Sequence, residues 1–237
     1  MTTDYGRLEK QLAIDLDLRR RPVAVAFLAA PPGGVDRYEG AQPSGCSFWR
    51  IASEGRTFYT AADQHHNCPI GSYTHNIDLP PTRAHELEET LGFMTSIGYI
   101  RIEEVPAIPR LAESPGAVVY APLGATPVDP DVVLFWGPPG KIMLLQEAAR
   151  RAGVAAELQT LARPTCMVLP AALAHGTVAS TGCIGNRVYT GLDESELYVA
   201  VPGRDLARVV EETSIVRTAN ATLLEYHRGR KRDLASA

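Results

Sequence analysis

Apolar residues recur along this chain in two rhythms, one helical and one extended. From Tyr5 to Leu18, Leu8, Leu12, Ile14, Leu16 and Leu18 stand among charged residues, an imperfect amphipathic helix with Pro22 just beyond its end. Val23–Leu28 is a short apolar run with β-branched residues and reads as a buried strand. Ala117–Ala121 and Val132–Trp136 read the same way, with Thr57–Thr60, Thr177–Ser180 and Leu197–Val201 as further strands. Residues 30–45 form a Pro/Gly-rich loop. Helices are predicted over Ser47–Glu54, closed by Gly55, and over Lys141–Ala152, closed by Gly153. Another covers Thr82–Ile97, with Pro80-Pro81 ahead of it, Thr82 as its N-cap, and Leu87, Leu91 and Met94 at helical spacing. Cys166 opens a helix that ends at Gly176, and Asp205–Glu212 and Thr218–Arg228 complete the set. This irregular mixture predicts an α+β (mixed α/β) fold.

The two halves of the chain can be laid over each other. The first runs Cys46, helix, Gly55, strand 57–60, Cys68-Pro-Ile-Gly71, Tyr73-Thr74. The second runs Cys166, helix, Gly176, strand 177–180, Cys183-Ile-Gly185, Tyr189-Thr190. Upstream, Val23–Pro32 parallels Val132–Pro139; downstream, Glu104-Val-Pro106 parallels Ala200-Val-Pro202. Matches in this order imply a duplication. The expectation is two pseudo-symmetric repeats, about 22–122 and 131–213, packed as one compact unit in a single domain of 1–237, with a C-terminal helix over 214–230. The inserts differ, because the first half carries Ala61–Asn67 where the second has Thr181-Gly182.

Composition narrows the classes. With 237 residues, 45% hydrophobic and 21% charged, the chain can bury a core without staples and is too apolar for disorder. A net charge of −4 argues against a nucleic-acid binder. No apolar stretch approaches the ~20 residues that span a bilayer, so no membrane is expected. The charged start lacks the apolar core of a secretory signal, which points to the cytoplasm and to reduced thiols. Four cysteines are too few for a disulfide scaffold. The basic run Arg228–Arg232 reads as a solvated helix end ahead of any partner contact. A homodimer is the base-rate expectation for assembly.

The cysteines carry the candidate chemistry. Cys46 and Cys166 stand at helix starts, where free N–H groups and the positive end of the dipole lower a thiol's pKa. Cys68 and Cys183 precede Ile-Gly turns able to aim amides at sulfur. Four buried hydrophobes are the plain alternative. No C-x₂₋₄-C pair is present, which places zinc behind both an iron–sulfur cluster and purely structural thiols; an iron–sulfur cluster tolerates dispersed thiolates. The leading expectation is therefore a cytoplasmic iron–sulfur protein with a [4Fe–4S] cluster between the repeats. Cys46, Cys68 and Cys183 would be ligands and Cys166 a fourth ligand or nearby thiol. Such a protein would serve a redox partner or act on a small anionic molecule, as an oxidoreductase or lyase.

His65 and His66, just before Cys68, are candidate ligands or proton donors, weighed against exposed bystanders. Arg187 is the candidate anion contact, weighed against an ordinary ion pair. Two alternatives stay open. One is a metal-free enzyme with Cys46 or Cys166 as thiolate nucleophile and His65 or His66 as base. The other is a small-ligand-binding accessory module whose cysteines only pack. Gly137-Pro-Pro-Gly-Lys141 lacks the phosphate-loop frame and reads as a helix-start turn.

Four segments together are similar to a known family: Gly45-Cys46, His66-Asn67-Cys68-Pro69-Ile70-Gly71, Pro164-Thr165-Cys166, and Thr181-Gly182-Cys183-Ile184-Gly185-Asn186-Arg187-Val188-Tyr189-Thr190. They resemble the domain-of-unknown-function 169 family over nearly the whole chain. The resemblance implies one domain in which the cysteines matter, and it names no reaction.

Overall fold

A computed structural model describes residues 3–155 and 159–235. Its centre is one sheet of seven strands: β1 (Val23–Leu28), β2 (Phe58–Thr60), β3 (Ala117–Pro122), β4 (Val132–Gly137), β5 (Gln159–Leu161), β6 (Val178–Ser180) and β7 (Leu197–Pro202). They lie in the order β2-β3-β1-β4-β7-β6-β5. Neighbours pair antiparallel, except that β5 and β6 run parallel. All residues of β3 and β4 are buried, which is why they read as unbroken apolar runs rather than alternating ones.

The strand period of two sends neighbouring side chains to opposite faces. On one face Val25, Val132, Leu134, Trp136, Tyr198 and Ala200 pack under α2 (Ser47–Ser53) and α6 (Val168–His175). On the other Ala24, Val133, Phe135, Val199 and Val201 pack under α1 (Tyr5–Leu16), α5 (Pro139–Arg151) and the long α8 (Leu206–Ala235). Three helices extend the first side: α3 (Pro69–Thr74), α4 (Glu86–Ser96) and α7 (Ile184–Thr190). Of these, α3 packs on α4 and on the 3-10 turn Thr165–Met167, while α7 packs on α2. The mixed α+β expectation holds in this form.

Several boundaries move for local reasons. Asp4 caps α1 by accepting from the Arg7 amide at 2.9 Å, and Asp17, in the left-handed region, stops it before Leu18. Thr82 is no N-cap; it lies in the 3-10 turn Pro81–Arg83, and the helix begins at Glu86. Cys166 likewise sits in a 3-10 turn, and α6 begins at Val168. The helices expected over 205–212 and 218–228 are one, because no Gly or Pro interrupts Leu206–Arg228. Gly55 (φ +113°) and Gly176 (φ +88°) end α2 and α6 as their positions suggest, in backbone conformations that L side chains seldom adopt. Among the described residues, no helix is long and apolar enough to cross a membrane.

Candidate functional site

A cleft of about 770 Å³ opens on the first side of the sheet. All four cysteines border it, each from a different element. Cys46, Cys68 and Cys183 stand at the N-caps of α2, α3 and α7, and Cys166 is in the turn before α6. Facing them are Leu91, Phe93 and Met94 of α4, with Ile97, Val105 and Ile108 from the chain that follows it. Convergence on one cavity is thus a property of the tertiary fold, which brings together residues 46 and 183.

Cys46 and Cys68 make local sulfur contacts, and Cys166 reaches across to α3. Ser44 Oγ lies 3.1 Å from Cys46 Sγ and 3.0 Å from Ser47 Oγ. The Gly71 amide donates to Cys68 Sγ at 3.3 Å. A Cβ at position 71 would come within 2.9 Å of that sulfur, so the Pro-Ile-Gly turn needs its glycine for the amide to approach. Cys166 Sγ donates to the Ile70 carbonyl at 3.9 Å, and the Cys183 amide donates to Thr165 Oγ1 at 2.5 Å.

Burial decides the charge of these thiols. It pushes Cys46 up to about 12, against smaller opposing effects of Ser44 and Asn186. It raises Cys68 despite the amides of Gly45 and Gly71, and raises Cys166 far above the usual thiol range. The sequence-level expectation of helix-start thiolates at Cys46 and Cys166 is therefore reversed. A short helix or single turn offers a few partial charges, whereas desolvation penalises the whole thiolate.

The iron–sulfur reading is overturned. Among the described residues, no group of three or more His, Cys, Asp or Glu is disposed to hold a metal ion. Cys46, Cys68, Cys166 and Cys183 share a cavity without forming a ligand set, and the geometry offers zinc no better one. The physical reason is that burial favours the protonated form of Cys46, Cys68 and Cys166, whereas a cluster or zinc site needs deprotonated sulfurs converging on one point.

The other candidate residues lie off the cleft's lining. His65 is buried, with Nε2 2.8 Å from Thr60 Oγ1 and its ring 5.6 Å from that of His75. Burial, with His75 and His66 nearby, pushes its pKa down to about 3. His75 Nδ1 donates to the Gly71 carbonyl at 2.7 Å, and burial lowers its pKa also. His66 is half-buried. The Arg187 guanidinium donates to the carbonyls of Asp193 at 2.6 Å, Glu196 at 3.3 Å and Thr181. It fastens the loop after α7, and these bonds occupy the face on which it would grip an anion.

Sequence reasoning missed the wall formed by α4 and the residue Asn186. Asn186 is only 2% exposed, and its Oδ1 and Nδ2 have no hydrogen-bond partner. At the cleft's edge Arg163 pairs with Glu104 at 3.3 Å and lies over the Tyr99 ring at 5.1 Å, so the one guanidinium there is matched. The helical spacing of Leu87, Leu91 and Met94 marks the helix in the sequence, but nothing in that spacing says that its apolar face covers a cavity. No spacing signal marks Asn186.

Fold and site define a mixed α+β protein whose single sheet presents an apolar, thiol-lined cleft on one side. The chain belongs to the DUF169 family, described as "Uncharacterised ArCR, COG2043", whose model matches residues 11–212. It is similar to "Uncharacterized protein MJ0308" of Methanocaldococcus jannaschii, 28% identical over 169 residues, covering 67% of this chain and 70% of the relative. No solved structure matches the chain significantly.

Proposed function

We propose that this protein binds a small, uncharged, mainly apolar molecule in the cleft between α4 and the four thiols. The observation that carries this reading is the wall itself. α4 buries none of its residues against protein, yet Leu91 and Met94 line a cavity of about 770 Å³. That volume suits a drug-sized molecule, and apolar walls with few polar groups are the usual lining of such sites. The thiols of Cys46, Cys68 and Cys166, which burial holds toward the neutral form, would act as polarizable contact groups and not as nucleophiles. The matched Arg163–Glu104 pair favours a ligand without net charge.

The duplication belongs to the same proposal. The sheet order places β2-β3-β1 beside β4-β7-β6, joined at the antiparallel β1–β4 pair. This order supports two repeats related about that seam, each lending one helix-start cysteine and one Ile-Gly cysteine to a shared cleft.

Nile red, a neutral dye that brightens in apolar surroundings, tests the reading. The native chain should bind one equivalent with blue-shifted emission, and Leu91→Asp/Met94→Asp should weaken binding at least tenfold with an unchanged melting temperature. Equal emission from both proteins, or none from the native chain, would refute the proposal.

A further inference from the structure

We infer that the projecting end of α8 docks on the outer edge of α4 in a second copy of this chain. α8 is held to the body through Leu206, Val209, Val210, Thr213 and Val216, and Arg217 pairs with Asp15 at 2.9 Å. Beyond Val216 no described residue of the helix is buried, yet the helix continues to Ala235. At 1.5 Å per residue, residues 217–235 extend about 28 Å. Leu223, Tyr226 and Leu234 on this tail are each more than half exposed. A helix in water draws most of its stability from a packed apolar face, and Gly229 inside the tail lowers what the backbone alone supplies. The exposure of the tail also shows that it does not lie on its own α4.

Charge and spacing choose the occupant. Leu223, Tyr226 and Arg230 follow one another at three and four residues, so they share one face of the tail, with Lys231 beside them. Glu89, Phe93 and Ile97 follow at four residues on α4, all exposed, and exposed Ile102 and Glu103 come after them. Set antiparallel, the two helices bring Arg230 to Glu89, Tyr226 to Phe93 and Leu223 to Ile97, one ion pair followed by two apolar contacts. Among the described residues, neither Arg230 and Lys231 nor Glu89 and Glu103 have an ion-pair partner, whereas Arg228 is already matched by Glu225 at 2.7 Å. Two tails set parallel would stack like charges instead. A lipid surface fits less well, because Arg230 stands within the apolar stripe that would have to enter it. Leu91 and Met94, the α4 residues on which the ligand reading rests, take no part, so the contact stands whatever the cleft binds. Every copy carries both surfaces, and reciprocal exchange of tails closes a pair.

The test is sedimentation of the full chain at tens of micromolar, with a charge exchange between two variants. The native chain should sediment as a pair that loosens as salt rises, because exposed charges are screened. Arg230→Glu/Lys231→Glu and Glu89→Lys/Glu103→Lys should each weaken association at least tenfold with an unchanged melting temperature, since all four side chains are exposed. An equal mixture of the two variants should associate again, because each reversed tail then meets a reversed α4 and each native tail a native one. Leu223→Asp and Phe93→Asp should each disperse the pair as well. A native chain that stays monomeric, association that survives both charge reversals, or variants that fail to associate when mixed would overturn the inference. A monomeric chain that instead sediments with phosphatidylserine vesicles, and loses them on Arg230→Glu/Lys231→Glu, would assign the tail to a membrane surface and overturn it equally.

Discussion

α5 and α4 are helices of similar length, thirteen and eleven residues, yet α5 buries Ile142, Leu144, Leu145, Ala148 and Ala149 while α4 buries nothing. Both carry apolar residues at helical spacing. α5 lays its apolar stripe on the sheet, against Phe135 and Val199, and is held there by α8. α4 lies beyond α3 with a cavity beneath it, and Phe93 and Ile97 remain 63% and 60% exposed. An amphipathic helix thus needs a surface to cover, and the two sides of one sheet supply different ones. The α5 side is closed core that serves stability. The α4 side holds the cysteines together with buried His65 and His75, and it gives up packing for a cavity.

The largest effect should come from breaking the closed side. Leu145→Ala removes a fully buried side chain from α5 and should cost about 2–5 kcal/mol in urea unfolding, through lost transfer energy plus a cavity. A loss below about 1 kcal/mol would mean that this side is not the stabilising one.

Next in size is a pH response confined to the cleft side, where His65 and His75 are buried. Their folded pKa values lie below the ordinary value of about 6.5, so the unfolded chain takes up protons first and stability falls with pH. The contribution is whole above about pH 6.5 and is lost progressively on acidification toward the folded pKa, about 3 for His65. From pH 7 to 5.5 His65 should cost about 1.3 kcal/mol, with His75 adding in the same direction, and His65→Gln/His75→Gln should flatten the curve in that interval. An unchanged slope in the double variant would assign the response to other groups.

The smallest effect should come from α4. Leu91→Ala should change global stability by no more than about 0.5 kcal/mol, as for an ordinary surface position, in contrast to Leu145→Ala on α5. A loss comparable to that of Leu145→Ala would show that α4 is part of the core and would remove the comparison.

Much of the scaffold was legible along the chain. Val23–Leu28 and Val132–Trp136 could hardly be anything but buried strands, because apolar runs of that length satisfy a sheet covered on both faces. Gly55 and Gly176 marked helix ends through backbone conformations that few other residues tolerate. The start of α4 was misread because Pro81 and Thr82 resemble a helix entrance while forming a 3-10 turn. The three residues of β5 and the seven of α7 were too short to show a period. The four cysteines border one cleft, and the iron–sulfur chemistry expected of them was misjudged.

That misjudgement marks the division. The pattern of apolar residues and glycines determined a mixed α+β chain, because local propensity and periodicity are written in neighbouring residues. Only the tertiary structure decided that Cys46, Cys68, Cys166 and Cys183 border one cleft, that α4 roofs a cavity instead of core, and that Asn186 is buried beside Cys46. Ionisation and hydrogen bonding depend on how much water the fold removes from each group and on what it brings there from distant parts of the chain. A helix start attracts negative charge in water; buried beneath α4, the same cysteine keeps its proton.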